Sequence, residues 1–89
     1  MTTRDSMDQF MQQCEDTIRN AQEHMVSGSK QGHYHDVEYS EAMGQLESAY
    51  NELTHLAQSA NAQQREMLHR KRLQLQQLQN QMILLNHDR

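Results

Sequence analysis

Apolar residues recur along this chain at alternating intervals of three and four, and that spacing limits what it can fold into more than any other feature. Met7, Met11, Cys14, Ile18, Ala21 and Met25 are separated by 4, 3, 4, 3 and 4 residues, with Phe10 on the flank. Tyr39, Ala42, Leu46, Ala49, Leu53, Leu56 and Ala60 follow at 3, 4, 3, 4, 3 and 4, broadened by Met43, Tyr50 and Ala57. A period near 3.5 gathers side chains onto one face of an α-helix, whereas a half-buried strand needs alternation at two. The chain carries no strand signal. With no Pro and only three Gly, almost nothing interrupts helix formation. The expectation is an all-α protein with coiled-coil-like, heptad seams.

Those seams matter because apolar residues are scarce. Hydrophobic content is 35% and mean hydropathy is -1.06, below the roughly 45–50% apolar usage of globular domains. Eighty-nine residues allow one small domain with a thin core, covering residues 1–89. A chain this polar folds only if its apolar residues are concentrated in stripes, and the periodicity shows that they are.

Three helices are expected, at about residues 6–26, 36–59 and 62–86. Ser6 and Gln9 have capping-box spacing at the start of the first, beside the acidic Asp5 and Asp8. Ser27-Gly28-Ser29-Lys30-Gln31-Gly32 reads as its C-cap and a loop. Asp36 is a plausible N-cap for the second. At Ser59-Ala60-Asn61-Ala62 the seam changes phase: the old register would bring in Gln63, Met67, Arg70, Gln74, Gln77 and Gln81, but the apolar residues are Leu68, Leu75, Leu78, Met82 and Leu85, with Lys71 at the remaining position. Either Ser59 or Asn61 caps a third helix after a tight turn, Asn61 and Gln64 being spaced as a capping box, or one long helix absorbs a four-residue stutter. The first gives an antiparallel, up-down-up bundle of three helices. The second gives a hairpin of one short and one long continuous helix.

Charge is unevenly divided. Residues 1–60 hold three basic and ten acidic groups, and residues 61–89 hold five basic and two acidic, for a net charge of -4. Arg65 and His69-Arg70-Lys71-Arg72 form the basic cluster. It could touch phosphates, but the chain is acidic, aromatic residues are 4%, and no nucleic-acid reading motif accompanies the cluster. Glu15, Asp16, Glu47 and Glu52 on the first two helices are alternative partners for it.

Chemistry-bearing motifs are weak. His33-Tyr34-His35-Asp36 is the densest set among six His, yet it lacks further ligands at helical spacing for zinc or nickel. A loop meeting a helix cap accounts for it as well. His24, His55 and His69 are scattered on polar faces. Cys14 sits in an apolar seam, where burial protects a thiol, and no His or acid is tied to it by a motif. No phosphate loop, nucleophile elbow, zinc-protease helix or calcium loop occurs. No catalytic, cofactor-binding or metal-ligating residue is assigned and no cofactor is expected. The polar, acidic N-terminus is unlike a secretory signal, one Cys makes no internal disulfide, and Met82-Ile83-Leu84-Leu85 is too short to cross a bilayer. A cytoplasmic protein without membrane contact is expected.

Gln12-Gln13-Cys14, Ser29-Lys30-Gln31 with His33-Tyr34, Glu38-Tyr39-Ser40, Gln63-Gln64-Arg65-Glu66 and Arg72-Leu73-Gln74-Leu75-Gln76 resemble a YtzC-like family of small uncharacterised proteins from spore-forming Gram-positive bacteria. The strings span most of the chain. The resemblance implies a bacterial cytosolic protein and supplies no functional residues.

Function is not written in the sequence. The reading it favours is a non-enzymatic helical protein–protein interaction module that forms a homodimer, because Phe10, Met43, Tyr50, Met67, Ile83 and Leu84 widen the stripes beyond one seam each. Leu73 and Leu84, off the main seam, are either ordinary exposed Leu, which are common, or a second contact surface. The alternative is a small nucleic-acid-associated regulatory protein using the basic third segment.

Overall fold

The computed structural model describes residues 4–31 and 37–87. They form α1 (Arg4–Gln31), α2 (Val37–Ala57) and α3 (Ala62–His87), with each helix packed against the other two and no strand among the described residues. At 1.5 Å per residue α1 is about 42 Å long, which matches the 44 Å long axis of the molecule. The helices lie side by side as an antiparallel, up-down-up bundle. Tyr39 at the start of α2 meets Met82 near the end of α3, and Arg4, Met7 and Asp8 share a groove with Gln63, Gln64 and Met67 at the start of α3. Thus α1 and α3 run parallel, and both oppose α2.

The phase change at Ala60 is a turn. Backbone bonds from Gln58 to His55 and from Ser59 to Leu56, at 3.2 and 3.1 Å, tighten the end of α2. Asn61 then caps α3: Gln64 N–H donates to Asn61 Oδ1 at 2.8 Å, and Asn61 N–H donates to Gln64 Oε1 at 3.0 Å. This reciprocal pair satisfies two amides that a helix start leaves free. Arg65 reaches back across the turn, its Nε–H donating to the Ala57 carbonyl at 3.2 Å and covering the C-terminus of α2. The long continuous helix is therefore not formed.

The core follows the seams. Met7, Cys14, Ile18 and Ala21 of α1, Tyr39, Ala42, Leu46 and Leu53 of α2, and Leu68, Leu75, Leu78 and Met82 of α3 are buried, and Ala60 of the turn joins them. Tyr39, the bulkiest of the fully buried side chains, donates its hydroxyl hydrogen to the Met82 carbonyl at 2.8 Å, so its polar end is satisfied inside the core.

Three details differ from the sequence reading. Phe10 is core rather than flank, at 4% exposure. With two partners, α1 buries a wider stripe than one seam: Phe10 turns toward α2, while Glu15, on the other margin, meets Lys71 of α3. Next, α1 begins at Arg4 and runs through Ser27-Gly28-Ser29 to Gln31. Ser6 therefore lies inside the first turn and is not its cap. One helical Gly costs about 1 kcal/mol against Ala, too little to end a helix without Pro. Finally, α2 ends at Ala57 rather than residue 59. Gly32, the His33–His35 segment and the Asp36 cap lie outside the described residues.

Candidate functional site

The least ordinary part of the core is where α1 and α3 meet around Lys71. A heptad position flanked by Leu68 and Leu75 holds an ammonium group, and the Lys71 side chain is only 11% exposed. Its Nζ pairs with Glu15 of α1 and also donates to Gln74 Oε1 at 3.1 Å. The side-chain hydrogen bond from Lys71, reinforced by its charge, holds the Glu15 carboxyl below the usual glutamate range. Of the four acids that the sequence offers to the basic segment, Glu15 forms an ion pair with it. Asp16 is turned to its own helix, accepting from Gln12 at 3.1 Å and lying 3.9 Å from Arg19.

Cys14 borders this pair. Burial pushes its thiol up to about 11; Lys71 draws it down in part, and Glu52 and Glu15 raise it. At 1% exposure the sulfur is a protonated, packed core atom at neutral pH, not an activated nucleophile. Among the described residues, no His is one of the groups acting on it. Among the described residues, no three His, Cys, Asp or Glu side chains gather where they could hold a metal ion.

The basic cluster of α3 does not form one face. Successive residues of a helix point about 100° apart, and the structure deals the charges to different neighbours. Arg70 pairs with Glu66 at 2.9 Å on the outer surface, where both side chains are exposed. Lys71 enters the core. Arg65 and Arg72, with His69, line a groove against Leu53, Thr54 and Ala57 of α2 and Leu68 of α3. Arg72 Nη2–H donates to His69 Nδ1 at 3.3 Å.

Among the described residues, the exposed large apolar side chains are Val26 of α1, Val37 of α2 and four residues of α3. Leu73 is 49% exposed and Leu84 is 68% exposed, both directed away from the Leu68–Leu75–Met82 core line. Ile83 and Met67 are also exposed, the first beside that outer line and the second toward α1. Of the other residues expected to widen the stripes, Phe10 is buried and Met43 packs against the core as a partly buried side chain. Tyr50 is half-buried. No helix among the described residues is long and apolar enough to cross a membrane.

Residues 1–84 match the model of a family described as proteins of unknown function, DUF2524. The chain is also 55% identical over 84 residues to the "Uncharacterized protein YtzC" of Bacillus subtilis (strain 168), an alignment covering 94% of this chain and 93% of that one. The chain belongs to the DUF2524 family. No solved structure matches it. Several strings that carry the resemblance fall on structural joints: Cys14 in the α1 seam, Gln64 and Arg65 at the capped turn, and Leu75 in the α3 core.

Sequence reasoning missed two features at this level. The role of Arg65 as a cover for the end of α2 needs the turn to be known. The inward lean of Arg72 depends on how α3 is rotated against α2, and charge counting along a sequence is blind to that.

Proposed function

We propose that this protein is a non-enzymatic helical interaction module that works as a cytoplasmic homodimer, pairing through the outer face of α3. The observation that supports the reading is a second heptad line on that face. Arg70, Leu73, Gln77, Asn80, Leu84 and His87 are spaced 3, 4, 3, 4 and 3, opposite the line that faces the core.

This line is self-complementary about a two-fold axis. In an antiparallel coiled-coil pair centred between Gln77 and Asn80, Leu73 of one chain faces Leu84 of the other, and Gln77 faces Asn80. The same register brings Arg70 level with His87, the end of the other α3. A helix C-terminus carries partial negative charge on its free carbonyls, which suits an arginine. A C2 interface must be self-complementary in this way. The two amide layers weaken the pairing but fix its register and direction. From residue 70 to residue 87 the seam is about 26 Å long. The phosphate-binding alternative has less support, because Arg70 and Lys71 already have carboxylate partners and Arg65 and Arg72 line the groove toward α2.

Four half-exposed Leu side chains per dimer must offset the loss of free motion on association, so the pairing is weak. Sedimentation equilibrium should show the average mass rising from one chain toward two between about 10 μM and 1 mM. Leu73→Glu combined with Leu84→Glu should hold it at one chain with helicity unchanged. A wild-type mass of one chain throughout that range, or a dimer indifferent to both changes, would remove the reading.

A further inference from the structure

One atom in the groove between α2 and α3 lacks what its chemistry demands. Arg72 Nε is buried and has no hydrogen-bond partner among the described residues. A guanidinium is always charged and can only donate. A buried polar atom left without an acceptor costs far more than an exposed one, and in native proteins such atoms are usually met by water or a bound group. The absent acceptor is not supplied by a neighbouring acid. Among the described residues the ion pairs belong to Arg19, Arg70 and Lys71, and neither Arg65 nor Arg72 is paired with a carboxylate.

The surroundings narrow the ligand. Arg65, His69 and Arg72 follow one another by about one helical turn along the same side of α3, and all three border the groove. The remaining walls are apolar, formed by Leu53, Ala57 and Leu68, with Thr54 between them. The hydroxyl of Thr54 is already committed to the Tyr50 carbonyl at 3.1 Å. His69 Nδ1 lies 3.3 Å from Arg72 Nη2, which holds the imidazole beside the guanidinium. Arg65 spends Nε on the Ala57 carbonyl, which leaves its two Nη groups as donors. Donors thus line one side and hydrocarbon the other. The groove holds about 280 Å³, slightly below the usual range for drug-sized ligands.

We propose that this groove binds a small organic carboxylate, its oxygens on the Arg72 guanidinium and its short apolar tail against Leu53, Ala57 and Leu68. The planar guanidinium edge matches the two oxygens of a carboxylate. The hydrocarbon wall separates this chemistry from that of an inorganic oxyanion, which has nothing to place against Leu53 or Leu68. The site lies on the α2-facing flank of α3, so it is independent of pairing through Leu73 and Leu84.

The test follows the Arg72 Nε–H resonance of ¹⁵N-labelled full-length protein at constant ionic strength, assigned by its loss in Arg72→Lys. The probes are hexanoate, acetate, 1-hexanol and inorganic phosphate, each raised to about 50 mM, an affinity range suited to a small ligand. Hexanoate should shift the resonance saturably and bind at least about tenfold more tightly than acetate, since each buried methylene adds to the transfer free energy. Hexanol and phosphate should not saturate it. Arg72→Lys keeps the charge but loses the Nε donor; read from the Leu53 and Leu68 methyl signals, it should weaken hexanoate about tenfold. Arg65→Gln should weaken it less, and circular dichroism checks that both variants stay folded. No saturable shift with hexanoate means the Nε is served by water, and the proposal fails. Phosphate or acetate binding as tightly as hexanoate would overturn the carboxylate-with-tail assignment, as would equal binding by Arg72→Lys and wild type.

Discussion

Exchanging either partner of the Lys71–Glu15 pair for Leu should have very unequal effects on stability. The Lys71 side chain is 11% exposed and that of Glu15 is 48% exposed. In Lys71→Leu the abandoned carboxylate is already half in water and simply rehydrates. The new Leu joins Leu68, Leu75, Leu78 and Met82, which are buried, while the lost pair, being partly screened, is worth at most about 1 kcal/mol. Completing an apolar seam offsets that loss, since replacing a buried charge by a hydrophobe is often neutral or stabilising. The net change expected is between zero and about 1 kcal/mol in favour of the variant. In Glu15→Leu the ammonium keeps only Gln74, whose Oε1 accepts at 3.1 Å. A fully trapped ion would cost roughly 3–5 kcal/mol, but the four-carbon stem lets Lys71 swing outward, so about 1–2 kcal/mol is expected. For a chain of this size each kcal/mol moves Tm by roughly 4–8 °C. Urea unfolding followed by far-UV circular dichroism measures both variants, at one fixed protein concentration because self-association shifts apparent stability. If Lys71→Leu proves the costlier change, the ion pair outweighs the seam and this account of the core is wrong.

Glu15 is held below its ordinary range in the folded state by Lys71, so its contribution is present above the unfolded-state pKa and is lost as pH falls through the lowered value. Wild type should therefore lose more stability on acidification below about pH 5 than Glu15→Gln does, and parallel unfolding slopes would contradict the linkage. Cys14, buried and pushed up to about 11, should react with a thiol reagent at neutral pH far more slowly natively than in urea; equal rates would place the sulfur at the surface. Asn61→Ala removes the Oδ1 that accepts from Gln64 N–H at 2.8 Å and should cost about 1 kcal/mol. No loss would mean that the turn is held by Arg65 and Ala60 alone.

How much of this was legible in the chain depends on whether a feature is local. The Asn61–Gln64 capping box needs only three residues of separation, and its spacing made a turn one of two readings of the phase change, the one that the structure shows. The three seams are equally local, and the position of Lys71 among Leu residues was visible as an anomaly, with Glu15 among its candidate partners. Features set by how helices rotate against each other were not visible. Phe10 reads as flank until α2 is placed beside it. Arg65 and Arg72 read as members of one basic cluster until α3 is turned so that both line a groove with α2 while Arg70 stays outside. The end of α1 departs from the sequence expectation for a different reason: Gly28 weakens a helix by an amount that the surrounding turns absorb. The same distinction explains why the two proposed surfaces differ in their basis. The Leu73–Leu84 line is a periodicity, readable in one dimension, and its two-fold match is a property of the spacing alone. The Arg72 groove exists only in three dimensions, since it needs Leu53 and Ala57 from one helix and Leu68 from the next to enclose a donor that its own helix leaves without an acceptor.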